Sequence, residues 1–436
     1  MNKNVNIRWV VILGFLLVLA FAVAPYAHSA VLTHGPVVGG VTASEAKVFL
    51  RTDQVASVKV EYSTSPNLLN SLVTNAFQTS SAKDFTIIIP LTELSPQTTY
   101  YLNVYVNKVP QFSFSYPSFK TFPATIDPQP FKFIILTDFK SRNTYTQTFF
   151  NASREGADFA FIGGDFDHTT PTTLAEKRRM FKRLYNSNSL ELSDFVNNIL
   201  KYIPIVHQWD DHDVGKNNCN KTYPYLSRSH KVFRGYVPTY SLPSAPYGIW
   251  QYFQYAHVDF FVLDGRSQRD PNTDPDDINK SMLDGNNLGS SGQLEWLKQG
   301  LLDSTARWKI IFSSVVTNPT TKHNDSWGAF QTEWRNLRQF VQDNQIRGIV
   351  FISGDLHIGG IDNGLASGFP EMVVPPSNLP GCLSAPSPGN WSEGSYYNDI
   401  GSCNGYGVVT VLTNPDRLLL EVKDQDGNTR LSYTVY

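Results

Sequence analysis

The chain has 436 residues and a formal net charge of −2, with 41% hydrophobic and 17% charged residues. This length allows two or three domains that each bury a substantial core. The charge balance lacks the basic stripe that is typical of nucleic-acid readers, so we expect no specific nucleic-acid partner. An aromatic content of 13% favours a β-rich fold, because aromatic side chains pack well on pleated surfaces.

Residues 1–30 have the pattern of an export signal. Lys3 and Arg8 precede an apolar run over residues 9–24, and the small residues Ser29 and Ala30 follow it. The run of about 16 residues is shorter than the roughly 20 needed to cross a bilayer. We expect cleavage after Ser29 or Ala30, no stable membrane span afterwards, and a secreted, periplasmic or cell-envelope protein. Retention of the segment as an anchor is the alternative.

The three cysteines fit an exported protein. Cys382 and Cys403 lie in one loop rich in Gly, Pro and Ser and could pair, which would leave Cys219 unpaired. A different pairing is also open. The spacing is not that of a zinc site.

Residues 31–122 are predicted to form a small all-β domain of immunoglobulin or fibronectin type. Short alternating runs are separated by turn residues about every 8–12 positions. Tyr100 follows a turn that contains Pro96 and resembles the tyrosine that begins a strand in fibronectin-type modules. A proline-containing linker over residues 123–130 comes next. The alternating runs are 46–51, 57–62, 86–90 and 100–107.

After Pro130 the pattern changes to apolar strands that alternate with helices, which predicts a layered α/β domain over residues 131–436, about 300 residues. The predicted strands are 131–136, 158–162, 203–206, 258–263, 309–313 and 348–352. The predicted helices are 173–185, 193–202, 293–302 and 329–344, and a hairpin over 418–423 and 429–435 closes the chain.

Four of these strands are followed by loops that carry acids. Carboxyl ends of strands meet at one edge of a sheet, so we expect these side chains to converge. Crowded carboxylates and imidazoles lose solvation and repel one another, and a fold that gathers them normally needs cations to neutralise them. The pattern predicts a two-metal hydrolytic centre. The side chains are Asp138, Asp165, Asp211, and Asp355 with His357.

Four motifs carry a family resemblance. They are Trp209-Asp210-Asp211-His212-Asp213, Leu263-Asp264-Gly265-Arg266-Ser267-Gln268-Arg269-Asp270, Gln293-Leu294-Glu295-Trp296-Leu297 and Ser353-Gly354-Asp355-Leu356-His357. With them the chain resembles the calcineurin-like metallophosphoesterases, and most closely the PhoD-like alkaline phosphatases and phosphodiesterases. The resemblance implies a four-layer αββα sandwich behind the small all-β domain, and hydrolysis of a small phosphate monoester or diester.

The resemblance also implies the metal ligands. Asp138 and His357 would hold one ion, and Asp165 would bridge two. Asp211 and Asp355 would hold the second ion. His168 stands where related enzymes carry a metal-binding Tyr, and it can ligate or belong to the loop.

Two positions depart from the family pattern. Lys140 stands where a first-motif His is usual, and residues 313–318 contain no His; His323 is a distant substitute on a loop. The centre is therefore rich in carboxylates, which favours Ca²⁺, Mg²⁺, Mn²⁺ or Fe³⁺ over Zn²⁺. Two such cations can clamp a phosphate and lower the pKa of a water towards neutrality.

Four further residues are candidates for catalysis or substrate binding. His212 is expected to stabilise the transition state or protonate the leaving group, with Asp213 orienting its ring. Arg266 could clamp phosphate, or it could pair with Asp264 or Asp270 in a structural role. Asn217 and Asn218 are weaker substrate contacts.

The substrate cannot be chosen from the sequence alone, because loops set selectivity. Residues 365–404, rich in Gly, Pro, Ser and Tyr, could form a lid over the site. Two alternatives stay open beside the phosphoesterase. One is a phospholipase-like phosphodiesterase, and the other is a catalytically degenerate secreted binding protein.

Overall fold

The computed structural model describes residues 28–140, 146–244, 247–283, 292–379, 389–397 and 403–436. Most of the predicted export segment lies outside these ranges, as do Cys382 and parts of the predicted lid. Within the described ranges, no helix has both the length and the apolarity needed to cross a membrane.

Twenty-two strands are found in the described part of the chain. The first nine are β1 Leu32–Gly39, β2 Ala46–Thr52, β3 Ser57–Ser63, β4 Leu72–Val73, β5 Phe77–Gln78, β6 Thr86–Leu91, β7 Thr99–Val106, β8 Val109–Pro110 and β9 Ser118–Lys120. The next seven are β10 Phe131–Leu136, β11 Phe159–Ile162, β12 Ile205–His207, β13 Gln251–Tyr255, β14 Val258–Val262, β15 Trp308–Phe312 and β16 Ile349–Ser353. The last six are β17 Gly359–Asn363, β18 Pro370–Val373, β19 Ser395–Tyr396, β20 Gly405–Thr413, β21 Asp416–Asp424 and β22 Thr429–Val435.

The α-helices are α1 Thr148–Ser153, α2 Leu174–Leu184, α3 Asp211–Val214, α4 Leu226–Tyr236, α5 Gln293–Asp303 and α6 Gln331–Asp343. Short 3₁₀ helices span Ser81–Lys83 and Trp327–Ala329, and Phe195–Leu200 forms a π-helix inside the predicted helix 193–202. The four predicted helices and six predicted strands after Pro130 are therefore present, with shifts of up to two residues at their ends. The π-helix Phe195–Leu200 is two residues shorter at each end than the predicted helix 193–202.

Two mixed sheets pack face to face. The first has the order β22-β21-β20-β10-β11-β12-β1-β2-β6, and the second has the order β13-β14-β15-β16-β18-β17-β19. Aromatic rings fill the space between them. The rings of Phe161 and Phe312 are stacked with their centroids 3.5 Å apart, and Phe133 meets Phe260 edge to face at 5.5 Å. One continuous core thus joins the inner faces of both sheets.

Helices cover the outer face of each sheet. On the first sheet, Phe181 of α2 and Phe233 of α4 pack in one cluster with Ile162 of β11. On the second, Leu297 of α5 and Trp334 of α6 pack with apolar residues of β14 to β16. The order helix, sheet, sheet, helix confirms the predicted layered α/β architecture.

The all-β region has a third sheet, in which β4, β3, β7 and β8 follow one another while β5 pairs with β3 and β9 with β7. This sheet packs against β2 and β6 through one apolar core. The Tyr100 hydroxyl accepts a hydrogen bond from the Ser95 amide at 2.8 Å, which is the corner expected of fibronectin-type modules.

The first sheet crosses the predicted linker. Strands β1, β2 and β6 come from residues 31–122, yet β1 pairs in parallel with β12 at Gly39 and Ile205. The division into domains at residues 122 and 131 stays a prediction, and a single hydrogen-bonded sheet runs through both parts.

Part of the expected lid belongs to the second sheet. Strand β18 pairs with β16 and β17, and β19 pairs with β17. Cys403, which lies near the end of the predicted lid, is disulfide-bonded, whereas Cys219 is a buried free thiol. Burial raises the pKa of the Cys219 thiol to about 12, so this thiol stays protonated.

Candidate metal centre

The acid-bearing loops meet at the carboxyl ends of strands from both sheets. Strands β10, β11 and β12 are parallel neighbours in the first sheet, and β16 lies among parallel strands of the second. The buried amide of Gln208 joins the two sheets here, because its Nε2 donates to the carbonyls of Leu263 (2.6 Å) and Phe312 (3.0 Å). Both sheets therefore contribute side chains to one site.

The structure brings all six predicted metal ligands together. They fall into four overlapping groups whose donor atoms lie within 4.8 Å of one another. Asp165, His168 and Asp211 each belong to two groups, so they link one half of the site to the other. The groups are Asp138, His168 and His357; Asp165, His168 and His212; Asp165, Asp210 and Asp211; and Asp211, Asp325 and Asp355.

Four of the predicted ligands have a left-handed backbone. Their φ angles are 53° at Asp138, 54° at Asp165, 64° at Asp355 and 58° at His357. Each such conformation costs on the order of 1 kcal/mol for a residue with a Cβ atom, and this kind of strain is concentrated at functional sites. The sharp turns aim the four side chains inward from the ends of the strands.

Glycines beside two of these acids let the loops approach each other. Gly164 has a φ of +100°, and a Cβ atom there would lie 2.7 Å from the backbone nitrogen of Asp210. A Cβ atom on Gly354 would lie 2.5 Å from Oγ1 of Thr137. The Gly-Asp pairs therefore have a packing role as well as a turn role.

Several buried donor atoms form no hydrogen bond in the protein, although Nε2 of His357 lies 3.3 Å from one of them, Oδ1 of Asp138. Oδ1 of Asp138, Nε2 of His168 and Oδ1 of Asp211 form no hydrogen bond. Their companion atoms are held: Thr137 donates to Oδ2 of Asp138 at 2.9 Å, and Nδ1 of His168 lies 3.0 Å from the Phe139 carbonyl. That contact makes Nδ1 the protonated nitrogen of His168 and leaves the Nε2 lone pair free for a cation. The donor set fits metal ions.

The acids at the centre resist full ionisation. Burial, reinforced by the charges of Asp211 and Asp210, raises the pKa of Asp165 well above its usual value. Burial also raises the pKa of Asp355, to about 7. A bound cation relieves this repulsion by supplying the missing positive charge.

The pKa values of the two histidines in the first group shift in opposite directions. Burial and the neighbouring His212 lower the pKa of His168 to about 4, so this ring is neutral, as a ligand must be. Nε2 of His357 lies 3.3 Å from Oδ1 of Asp138. Burial opposes ionisation of both partners, yet this contact lowers the pKa of Asp138 and raises that of His357.

His212 lies inside the cluster, as predicted. Its ring centroid is 4.7 Å from that of His168, and its Nε2 is 3.9 Å from Oδ1 of Asp211. The backbone amide of His212 donates to Oδ1 of Asp165 at 3.1 Å. Its buried Nδ1 has no hydrogen-bond partner, so the ring is available for a substrate or a cation.

The Asp213 carboxylate is not placed where the sequence suggested. It accepts hydrogen bonds from the backbone amides of Asp165 (2.8 Å), Phe166 (3.2 Å) and Asp210 (2.8 Å). No hydrogen bond between Asp213 and His212 occurs among the described residues. Asp213 thus ties the loop after β11 to the loop after β12 and acts as a positioning residue rather than as the partner of the His212 ring.

The sequence left two roles open for Arg266, a phosphate clamp or a structural ion pair with Asp264 or Asp270. The structure shows an ion pair, but with Asp210 and Asp325. The Arg266 guanidinium is fully buried and forms two hydrogen bonds to Asp210 (2.5 and 2.9 Å) and two to Asp325 (2.9 and 3.1 Å). Asp264 instead accepts backbone hydrogen bonds from Arg266 and Ser267. The guanidinium is committed to carboxylates, so the phosphate-clamp prediction is not supported.

The structure also shows where the weaker substrate candidates lie, and where the residues lie that depart from the family pattern. Asn218 donates its backbone amide to Oδ2 of Asp211 at 2.6 Å, which fixes that carboxylate. Asn217 and His323 are exposed. The backbone amide of Lys140 donates to the Asn378 carbonyl at 2.6 Å.

Sequence reasoning missed three residues of the site. Asp210 lies in the recognised Asp-Asp-His-Asp run, but its acceptor role was not anticipated, and Ser314 also donates to it at 2.7 Å. Asp325 is fully buried, and Lys322 bonds to Asp355. Although burial acts in the opposite direction, Arg266 and Arg269 hold the pKa of Asp325 well below its usual range. No local pattern around Lys322 or Asp325 signals either role.

Comparison with known proteins agrees with this geometry. Residues 160–363 match the PhoD-like phosphatase family. Alkaline phosphatase D of Bacillus subtilis (strain 168) is 23% identical over 259 residues, which are 50% of this chain and 44% of that protein. The chain thus matches less than half the length of this relative.

Two solved structures share the fold. The structure of PhoD superposes with a TM-score of 0.73 at 19% identity, covering 95% of this chain and 94% of the other. A purple acid phosphatase, PPD1, from yellow lupin (Lupinus luteus) seeds superposes with a TM-score of 0.66 at 14% identity, covering 93% and 74%.

These likenesses confirm the predicted metallophosphoesterase-like α/β fold with its N-terminal all-β region. The sequence match spans the strands and loops that supply Asp165, Asp211, Asp355 and His357. The chain is thus similar to PhoD-like phosphatases in sequence over residues 160–363 and shares its fold with the structure of PhoD.

Proposed function

We propose that this protein is an exported, metal-dependent phosphoesterase that hydrolyses small phosphate monoesters or diesters by attack of water. One observation carries the proposal. Loops from both sheets bring the six predicted ligands into overlapping donor groups, and three of their donor atoms are buried without a hydrogen-bond partner. The family match supports the reaction class.

The residues divide into two halves around Asp165. Asp138, His168 and His357 would hold one cation, Asp211 and Asp355 would hold another, and Asp165 lies between the halves. When bound, the cations would supply Lewis acidity that favours ionisation of water and neutralises phosphate charge. The oxygen-rich donor set favours Ca²⁺, Mn²⁺, Mg²⁺ or Fe³⁺ over Zn²⁺.

The protein groups have separate tasks in this reaction. His212 would donate a hydrogen bond to the phosphoryl oxygens or a proton to the leaving oxygen, since its ring lies in the cluster and its Nδ1 is unpartnered. Asp213 would hold the loops that carry Asp165 and Asp211 in register through backbone amides. Arg266 would neutralise Asp210 and Asp325 behind the ligands.

Export is part of the proposal. The pattern of residues 1–30 supports it, and so does the disulfide at Cys403, because disulfides persist in oxidising compartments. Expression of the full chain in a bacterial host tests it. We expect protein outside the cytoplasm whose N-terminal residue is Ala30 or Val31; an intact Met1 on a membrane-bound form would support the anchor instead.

A metal and activity assay tests the reaction. Purified protein should contain bound metal and hydrolyse p-nitrophenyl phosphate or its bis ester, with activity lost on chelation and restored by Ca²⁺, Mn²⁺ or Fe³⁺. Folded protein that binds none of these ions and cleaves neither ester would contradict the proposal and favour a secreted binding protein. Cleavage of phosphatidylcholine vesicles with neither nitrophenyl ester cleaved would favour the phospholipase-like alternative.

A further inference from the structure

The two halves of the metal centre differ in their positive charges. Among the described residues, no lysine or arginine forms an ion pair with Asp138 or Asp165. The other half, with Asp211, Asp325 and Asp355, is bordered by three cationic side chains. They are Arg266, Arg269 and Lys322.

The three cations have different partners. Arg266 and Arg269 are fully buried, and both pair with Asp325. Lys322 bonds to Oδ2 of Asp355, and its ammonium lies 3.7 Å from Oδ2 of Asp325. Asp355 is also a predicted metal ligand, so the Lys322 ammonium occupies one oxygen of the carboxylate that a second cation would use.

Lys322 is the most exposed of the three cations. Its side chain is 30% exposed, whereas those of Arg266 and Arg269 are 0% exposed. It lies on the loop that connects β15 to the 3₁₀ helix Trp327–Ala329. A flexible four-carbon stem with a solvent path lets the ammonium leave Asp355 without disturbing the core.

We propose that Lys322 is a positioning residue that makes the two halves bind metal unequally. The half with Asp138, His168 and His357 takes a cation tightly, and the half with Asp211 and Asp355 takes one weakly because that cation must displace the Lys322 ammonium. Two positive charges cannot share the Asp355 carboxylate at close range in a buried site without strong repulsion. This inference rests on the proposed two-metal function.

Mn²⁺ binding to the metal-free protein tests the inference. Free Mn²⁺ is counted by electron paramagnetic resonance, and affinities are measured by calorimetry at mildly alkaline pH. The wild type should bind two Mn²⁺ in two separated steps. In Lys322→Met the affinity of the second step should increase by about 10- to 100-fold, while the affinity of the first step stays unchanged. Mutation of groups that contact metal ligands changes metal affinity on this scale.

Two controls make the result specific. Lys322→Arg keeps the charge, so its second step should stay weak. Lys216→Met removes an exposed lysine from the loop after α3 and should leave both steps unchanged. Circular dichroism confirms folding, since a general loss of structure would weaken both steps.

The failures can be told apart. If the wild type binds two Mn²⁺ and hydrolyses the esters, but Lys322→Met leaves the second step unchanged or weakens it, the role of Lys322 is wrong and the proposed function stands. Equal affinity of both steps in the wild type would overturn the inference in the same way. If the folded wild type binds no Mn²⁺, both are contradicted.

Discussion

At the scale of single residues, acids at the ends of strands supply most of the donor atoms of the candidate metal centre. Asp138, Asp165, Asp211 and Asp355 all reach the site, because each follows a buried strand that ends at the same edge. Asp213 was assigned to His212 from proximity in sequence, but its carboxylate binds backbone amides of two loops. Adjacent positions in a one-turn helix such as α3 point in different directions, so sequence distance predicts such pairs poorly.

The first prediction concerns Asp165, which lies between the two halves. We expect Asp165→Asn to reduce phosphoesterase activity by more than about 100-fold. Mutation of a group that only hydrogen-bonds to a metal ligand already lowers metal affinity or activity about 10- to 100-fold, and Asp165 is itself a predicted ligand. Asn tolerates the left-handed φ of 54°, so the backbone should be retained. Steady-state hydrolysis and metal content are measured, with the exposed Asp274→Asn as control. Wild-type activity in Asp165→Asn would show that this carboxylate is dispensable.

The second prediction separates catalysis from ligation at His212. His212→Ala should lower kcat by roughly 100- to 10,000-fold, the usual contribution of proton transfer, and leave the bound metal unchanged. Elemental analysis and kcat are compared with those of His323→Ala, whose ring is exposed. Loss of one metal equivalent in His212→Ala would make His212 a ligand instead.

The third prediction concerns pH and His207, a buried residue whose two ring nitrogens have no hydrogen-bond partner. Burial lowers its pKa from 6.5 to about 3. The unfolded chain takes up this proton below pH 6.5 and the folded chain does not, so stability falls as pH drops from about 6.5 towards 3. His207→Leu should remove this loss of stability. Near pH 4.5 its free energy of unfolding should therefore exceed that of the wild type by about 2–3 kcal/mol.

Urea denaturation across this pH range measures the effect, with the exposed His323→Leu as control. Parallel stability curves for the wild type and His207→Leu would mean that His207 does not titrate on unfolding.

At the scale of elements, hydrophobic periodicity located most helices and strands after Pro130. The boundaries follow from local chemistry: α2 begins after Thr173, whose hydroxyl accepts from the Glu176 amide while the Glu176 carboxylate accepts from the Thr173 amide. Strand β13 and helix α4 are among the elements that were not predicted. Strand β13 is polar at alternate positions, with Tyr252 and Gln254 exposed, and α4 begins without a capping side chain. Their stability comes from tertiary packing.

The capping box gives the fourth prediction. Thr173→Ala should lower the free energy of unfolding by about 1 kcal/mol, because the mutation removes the side-chain acceptor for one amide of the first turn. Thermal denaturation of metal-loaded protein measures it, and Ser187→Ala on the exposed loop after α2 is the control. An unchanged melting temperature would mean that water replaces the cap without cost.

At the scale of the whole molecule, the region before the linker is part of the first sheet. Besides the pairing of β1 with β12, Phe49 of β2 packs against Tyr185 and Tyr236, with ring centroids 5.3 and 5.5 Å away. Removal of residues 31–122 would expose β12 as an open edge and strip this apolar contact.

The fifth prediction follows from that shared sheet. A fragment of residues 131–436 should be insoluble or lack a cooperative unfolding transition, whereas a chain of residues 31–436 should fold. Soluble yield, size-exclusion chromatography and near-ultraviolet circular dichroism compare the two. A monomeric, cooperatively folded fragment would establish residues 131–436 as an independent domain.

The sequence by itself determined the α/β class, the all-β region and the convergence of the acids, because strand and helix periodicities are local and acids after buried strands must meet at one sheet edge. The set of six candidate ligands, with His168 among them, came from the family resemblance. Only the tertiary structure decided how the charges pair. Arg266 binds Asp210 and Asp325, and Lys322 binds Asp355, across sequence separations of 33 to 59 residues. Pairing at such distances depends on which loops the packed sheets bring together, and no local pattern encodes it.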